Sequence, residues 1–506
     1  RHAYEVWSGN PQSSIEDISN AVVTPAGESW YRSLQYAKMH TSNNSNLAYV
    51  WTKDDASVLV STAGQLDSTF SVGFATATEI NLAAGTYDLK KVAEVKGNLA
   101  IIGEDSTKTV VSQGFKLSGT DKQIVSFKNM TIKDAATAIE LTNPKVDLTI
   151  ENAALHGTYG VKYNNYTDTQ ATEAPSYTVK NSYIKANKYY ALWTRSTGKY
   201  TWTIENSVLE GWSALYTSLG TPNITVTDSK LYGITTSTAS ATPAYTNGSS
   251  GNGFATIVFE STQNGNITLD NTEVKSSWTA SAKDILNPVI FQVMADQTKN
   301  PKHFGVSGNT LTLKNNSSMW IEKPVLTPIF IYHGASDDTY GKEENNWVNV
   351  DNSVKFTYGA ENKSAMVVAA ADGKIRTAVA PIQDGIDNMN YWTADGDIVT
   401  LPIATIDLTK QWEITNAVTL QGIISGTDTT SIVAATEWEK CPDKNDSTLI
   451  EIKSDNVSFK NLNVKNSMRN GINVFEAKNV TLNNVTIQNS KAAGMVVNSS
   501  EVAISN

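Results

Sequence analysis

The side chains that could do chemistry are few in this 506-residue chain. The stretch YHGASDDTYGKEENNW, residues 332–347, gathers His333, Asp337, Asp338, Glu343 and Glu344 in one loop. Carboxylates set this close could hold Ca2+ through oxygen ligands, with Asp337, Asp338, Glu343 and Glu344 as its candidates. With His333 alongside, Asp337 and Asp338 could instead act as an acid/base pair on a glycosidic bond. The plainer reading is a solvated acidic loop carrying a chance histidine, and it is preferred here. His156 and His303 fall at bends between strands, where packing is the simpler role, and His2 and His40 lie outside the repetitive sequence. Cys441 is the sole cysteine, so neither an intrachain disulfide framework nor a Cys-rich zinc site can form, and no histidine partner lies near it in sequence.

Composition narrows the classes further. Acidic residues exceed basic ones by 50 to 40, and arginine occurs at Arg1, Arg32, Arg195, Arg376 and Arg469 alone. That balance argues against a nucleic-acid partner. Hydrophobic residues make up 40% of the chain, enough to build a core. No apolar run approaches the ~18 residues of a membrane span. Abundant Thr, Ser, Asn and Gly with almost no cysteine suits an extracellular protein.

What must position these side chains is a repeated phrase: apolar, variable, apolar, variable, Asn, two variable residues, apolar. It occurs as Val125, Phe127, Asn129, Ile132 and as Leu148, Ile150, Asn152, Leu155, then around Asn181 and Asn206. Asp228 fills the slot next, Asn271 and Asn315 follow, and the phrase returns at Asn461 and Asn484. Steps between these positions are 23, 29, 25 and 22 residues, then 43 and 44, and 23 again in the late block. One coil of a β-solenoid has about that length, with insertions looping out of the longer steps. Asn tolerates a left-handed backbone at a tight bend, and stacked coils would set one amide above another in a hydrogen-bonded ladder inside the stack. The ladder residues are therefore Asn129, Asn152, Asn181, Asn206, Asp228, Asn271, Asn461 and Asn484.

A second strand follows each bend, as in Ala191-Leu192-Trp193-Thr194 and Ala214-Leu215-Tyr216-Thr217. Alternation points its second and fourth residues into the coil and its third outward. The outward slot then runs Glu140, Lys162, Trp193, Tyr216, Val258, and by a looser alignment Ile290 and Phe330. From Trp193 onward this is an apolar, aromatic-led stripe. Either the insertions at 234–253 and 278–287 fold back to cover it, which is the preferred reading, or Trp193 and Tyr216 stack against a sugar chain. Trp202 takes no part, because its slot faces inward.

This pattern resembles the right-handed parallel β-helix of the pectin-lyase-like superfamily, over roughly residues 75–372 and 395–506. The resemblance implies an all-β, right-handed parallel β-helix, an architecture shared by polysaccharide-cleaving enzymes, tailspikes and bacterial surface adhesins. Enzymes of this type use clustered acids for calcium with an arginine base, or paired aspartates with a histidine. Of the five arginines only Arg195 lies in the first block of repeats, and the polygalacturonase motif set is absent as a set.

The opening unit is written twice. Leu82 matches Leu401, Asp88-Leu89 matches Asp407-Leu408, Glu94 matches Glu413 and Gly103 matches Gly422, all at a constant offset of 319. Short helical leads precede both copies, AGQLDSTF at 63–70 and PIQDGIDNM at 381–389, and would cap the stacks. The expected organisation is a non-repetitive segment 1–60, the tail of a preceding module, then a first β-helix 61–372. A junction 373–380 leads to a second β-helix, 381–506, which breaks off within a coil. The function expected is a non-catalytic, extracellular module of a larger cell-surface, surface-layer or fibre protein, structural or binding glycan or protein. Self-association or contact with other surface proteins fits its stripe and coil ends. The alternative is a polysaccharide lyase or glycoside hydrolase acting on extracellular glycans. No cofactor is expected beyond the Ca2+ that the acidic loop could take.

Overall fold

The structure is a computed structural model and describes residues 35–38, 47–50, 57–72, 78–165, 171–235, 255–278, 287–292, 306–321, 329–332, 346–350, 353–358, 366–371, 375–379, 382–438 and 448–506. Its strands follow the repeated phrase. On the face before the bends, Leu99–Gly103, Gln123–Lys128, Val146–Glu151, Ser176–Lys180, Lys199–Glu205, Thr221–Thr227, Asn266–Asp270 and Thr310–Lys314 pair in parallel, each with the next. After the bends, Tyr183–Ala186, Val208–Gly211, Lys230–Thr235 and Glu273–Trp278 form a second parallel ladder. Tyr190–Arg195, Ser213–Ser218, Ala255–Glu260 and Asn287–Gln292 form the third face. The chain is a right-handed parallel β-helix. Long-range parallel pairing binds each coil to its neighbours, and alternation along each strand sends every second side chain into the shared core.

At the bends the backbone is left-handed, with φ of 52° at Asn129, 49° at Asn152, 47° at Asn181, 44° at Asn206, 49° at Asp228, 45° at Asn271, 56° at Asn461 and 52° at Asn484. Asn and Asp adopt this conformation at lower cost than other non-glycine residues. Coil-to-coil bonds run Asn152 Nδ2 to Asn129 Oδ1 (3.3 Å), Asn206 Nδ2 to Asn181 Oδ1 (2.8 Å), Asn271 Nδ2 to Asp228 Oδ1 (2.6 Å) and Asn484 Nδ2 to Asn461 Oδ1 (2.9 Å).

These side chains do not lie inside the stack as expected. Most are exposed, and Asn129 and Asn461 are half-buried. A left-handed residue leaves its own side chain on the outer corner and turns the following residue inward. That following residue is buried at Ala153, Ser182, Ser207, Ser229 and Thr272, and Ser317 is buried after the two left-handed residues Asn315 and Asn316. Its hydroxyls make the inner ladder instead. Ser182 Oγ accepts from Ala153 N, Ser207 Oγ from Ser182 N and Ser229 Oγ from Ser207 N, each at 3.1 Å. Each hydroxyl also donates to the carbonyl two residues back, at 2.6 Å from Ser182 to Lys180, 2.7 Å from Ser207 to Glu205 and 2.6 Å from Ser229 to Thr227.

Among the described residues two large apolar clusters are buried, one from Val60 to Met319 and one from Met366 to Leu482, and a smaller one gathers Tyr190, Tyr216, Ala255, Val258 and Ile290. The first is aromatic at its centre, where fully buried Trp202 stacks on Tyr177 with centroids 5.0 Å apart. The second is mainly Ile, Leu and Val around Phe459.

Helices stand where the leads place them: α1 at Ala63–Val72, α2 at Ile382–Asp387 and α3 at Met389–Trp392. The offset of 319 carries Ala93–Val95 onto Trp412–Ile414 and Leu99–Gly103 onto the stretch containing Thr419–Gln421. Gly103 and Gly422 share one environment, since a Cβ would meet Asn129 O at 2.2 Å in the first and Asn461 O at 2.2 Å in the second. Only glycine lets the bend of the next coil approach this closely.

Strands lie across two of the expected boundaries. The same offset carries Leu47–Val50 onto Met366–Ala369 and Ser57–Val60 onto residues 376–379, but the pairings differ: Leu47–Val50 is antiparallel to Gln35–Lys38, and Met366–Ala369 is antiparallel to Ile375–Val379. Ser57–Val60 also pairs in parallel with Glu79–Leu82, which joins it to the first run of coils. Residues 373–380 contain a strand rather than a bare junction: Ile375–Val379 pairs antiparallel with Met366–Ala369 and, through Val348 and Ile375, with Trp347–Val350. Met366–Ala369 in turn pairs antiparallel with Ile398–Thr400, where the second run starts. These strands carry no bend asparagine, which leaves them outside the repeated phrase.

Candidate functional site

Register on the third face aligns Glu94, Lys116, Glu140, Lys162, Trp193, Tyr216, Val258 and Ile290 across successive coils. Ile290 is also in register with Phe330. Trp193 is held there by its strand neighbours Leu192 and Thr194, both wholly buried in the coil. Its ring is half-exposed and lies nearly parallel to that of Tyr159, with centroids 5.6 Å apart and planes 18° apart. Tyr159 stacks in turn on Tyr189 at 4.7 Å and 17°. Lys162 Nζ sits 4.7 Å from the Tyr159 centroid and 5.6 Å from that of Trp193, and Lys188 Nζ is 5.1 Å from Tyr189. The result is a row of three half-buried rings edged by two ammonium groups.

Tyr216 does not belong to this surface. It is 3% exposed, its ring lies 4.3 Å from Tyr190, and its hydroxyl donates to Glu260 Oε2 at 3.0 Å. It therefore cannot stack on a sugar, and supports the half-exposed row from beneath. Val258 and Ile290 occupy outward slots yet are wholly buried. The insertions expected to cover them lie almost entirely outside the described residues.

Beside Tyr216 a polar network closes on itself. Ser218 Oγ donates to Glu260 Oε2 at 2.7 Å, and Glu260 is 8% exposed. Burial holds the Arg195 guanidinium below its ordinary range, and the Glu260 charge works against that shift. The same burial and the same carboxylate push the Tyr216 hydroxyl far above the phenol value, so it stays a neutral donor.

The second run places a different set in the corresponding column, where Glu413, Glu451 and Asn473 align across coils. Lys453 Nζ bridges Glu413 Oε1 at 2.9 Å and Glu451 Oε2 at 3.0 Å, and Asn473 Nδ2 donates to Glu451 Oε1 at 2.9 Å. Hydrogen bonding to Glu413, ahead of that to Glu451, raises the Lys453 pKa.

His333, Asp337, Asp338, Glu343 and Glu344 lie outside the described residues, as do His303 and Cys441. Among the described residues no group of three or more His, Cys, Asp or Glu side chains is placed to hold a metal ion. His156 is half-buried against Tyr183, with ring centroids 5.5 Å apart, and desolvation followed by the charge of Lys185 lowers its pKa. The sequence pattern missed Tyr159 and Tyr189 because both precede the strands that it recognises. A signal was available in the aromatic residues immediately ahead of those strands, in GTYG and KYYALW.

No family model and no curated protein matches the chain. Among solved structures it is similar to the Agl-KA catalytic domain, at 12% identity and a TM-score of 0.31, covering 96% of this chain and 69% of that one. The PL6 family alginate lyase AlyGC gives 11% identity and a TM-score of 0.23 over 87% of this chain and 80% of its own. The Streptococcus pneumoniae surface protein and adhesin PfbA gives 8% identity and 0.26, over 85% and 92%. At these identities and TM-scores the likeness carries no argument, and the fold rests on the strand pairing described above.

Proposed function

We propose that the chain is a non-catalytic, extracellular segment of a larger cell-surface or fibre protein. It is built as two β-helix modules in tandem, and the first presents the Trp193 row to a glycan. One observation carries the scaffold part of this reading: outward polar side chains are spent on one another, coil to coil. Lys128 pairs with Glu151 at 2.9 Å, Lys180 with Glu205 at 3.1 Å and Lys314 with Asp270 at 3.1 Å, while the bend amides bond between coils. Arg195, the arginine of the first repeats, is drawn into the partly buried surroundings of Glu260. An outer surface organised this way stiffens a rod. It leaves the half-exposed rings at Trp193, Tyr159 and Tyr189, with Lys162 and Lys188, as the part suited to stacking on pyranose rings and pairing with acidic substituents.

Incubation with plant, algal and host glycans, with and without Ca2+, should give no new reducing ends and no unsaturated products. Product that disappears when Asp337 and Asp338 are both changed to Ala would establish the lyase or hydrolase reading instead. On a glycan array, Trp193→Ala should remove the signal while thermal unfolding stays nearly unchanged. A large stability loss would show that the ring serves packing alone.

A further inference from the structure

The twice-written opening unit contains its own control, because at the offset of 319 the same positions are built differently beneath the two helical leads. Between α1 and Ala93–Val95 lies a hollow of about 210 Å3, lined by Asp67, Phe70, Lys91, Ala93, Glu94 and Lys116 together with Val92. Phe70 is half-buried, its ring meeting Phe115 edge-on at 5.9 Å, and Val92 is 41% exposed. In the second copy Ile386 replaces Asp67, Met389 replaces Phe70 and Trp412 replaces Ala93, all three buried in one apolar cluster. The second unit thus puts an indole where the first has only a methyl group.

The charges differ in the same sense. In the second copy Lys410 pairs with Asp387 at 3.7 Å, and Lys453 joins Glu413 to Glu451. In the first, Ser68 stands at the position of Asp387, and the residue in register with Glu94 is Lys116 where Glu413 has Glu451. Among the described residues neither Lys91 nor Lys116 enters an ion pair. The carboxylates of the hollow are already engaged: Glu94 Oε1 accepts from Ser118 Oγ at 2.6 Å, and Asp67 Oδ1 accepts from Lys90 N at 3.2 Å. The Ser118 bond, then the charges of Lys96, Lys116 and Lys91, hold the Glu94 carboxyl below its ordinary range, so cationic groups prevail around it.

We infer that this hollow binds a small aromatic carboxylate, its ring against Phe70, Val92 and Ala93 and its carboxylate met by Lys91 and Lys116. A cavity of about 150 Å3 already holds benzene in a protein interior, so this one has room for a single ring with a charged substituent. The ring is aromatic because Phe70 offers it an aromatic neighbour and because the second copy fills the position of Ala93 with an aromatic side chain of its own. The two lysines supply charge-assisted hydrogen bonds at the rim. This site is separate from the Trp193 row and does not rest on the glycan reading.

A ligand-observed NMR titration of the 506-residue chain with benzoate tests it. Benzoate should bind saturably with a Kd of about 1 mM or tighter. Benzyl alcohol, which keeps the ring without the charge, and galacturonate, which keeps the charge without the aromatic ring, should each bind at least about tenfold more weakly. Ala93→Trp, which copies the second unit, should abolish benzoate binding with circular dichroism unchanged. If Ala93→Trp disturbs folding, the double substitution Lys91→Met and Lys116→Met gives an independent readout: benzoate should weaken at least about tenfold while benzyl alcohol binds as before. Absence of saturable benzoate binding would overturn the inference, as would equal binding of benzyl alcohol or galacturonate, or benzoate binding untouched by these substitutions.

Discussion

The third face of the first run of coils and that of the second start from the same residue, Glu94 in one and Glu413 in the other, and then diverge. In the first, charge alternates through Glu94, Lys116, Glu140 and Lys162 before the column turns aromatic at Trp193. In the second, two glutamates stand in successive coils, reconciled by Lys453 reaching between them, and the column ends in Asn473 and Val496. Neighbouring coils are ~4.8 Å apart, so like charges in register repel and must be separated by alternation or bridged from the side. The difference teaches that the opening unit fixes how a stack begins, while later coils are free to carry different outward chemistry on the same backbone. The cores differ in parallel, one with Trp202 stacked on Tyr177, the other mainly aliphatic with Trp412, Trp438 and Phe459.

The largest test of that contrast is Trp202→Ala. Removing a wholly buried indole from the aromatic core should cost about 3–5 kcal/mol. Hydrogen exchange should report the loss in Lys199–Glu205 and its neighbours while Ile450–Ile452 and Ile472–Phe475 stay protected. Equal loss in both would mean that the two cores melt as one unit, and the comparison would fail. Next comes the inner hydroxyl ladder, which the second run carries where Ser500 Oγ accepts from Ala477 N at 3.0 Å and donates to Asn498 O at 2.6 Å. Ser207→Ala leaves the buried Ser182 N–H without its acceptor and should cost about 1–3 kcal/mol in chemical denaturation. Asn206→Ala, on the wet side of the same bend, mainly forces a left-handed backbone on Ala and should cost about 1 kcal/mol.

The bridge in the second column makes a smaller, pH-dependent contribution. Because the Lys453 pKa is raised in the folded state, its contribution is complete below the ordinary lysine value and is lost as pH rises through the folded one. Wild type should therefore shed up to about 1 kcal/mol on going alkaline beyond about pH 10.4, an increment that Lys453→Met lacks. Smallest of all, Lys180→Ala breaks one exposed pair with Glu205 and should change stability by less than about 0.5 kcal/mol, less still at high salt.

Much of the fold was legible because a coil writes its geometry into a short period. The bend needs Asn or Asp at a left-handed position, and alternation places Val125, Phe127, Leu148 and Ile150 inside, where they are buried. The duplicated opening unit could be read from Gly103 and Gly422, since only a residue without Cβ admits the neighbouring bend. The site was less legible. Trp193 and Tyr216 occupy the same slot in adjacent coils, yet one is half-exposed and the other buried. Tyr159 and Tyr189, which complete the ring row, fall outside any repeated position.

Sequence by itself determined the period, the inward and outward slots and the twofold beginning, because these depend on local backbone preference and on alternation between neighbouring residues. Tertiary structure alone decided which side of the bend holds the amides and which the hydroxyls. It also decided how the first run of coils is closed by antiparallel strands, and which outward aromatics reach solvent. Those outcomes depend on what lies one coil away, some 22 to 44 residues distant in the chain, and a pattern read along one strand carries no record of that neighbour.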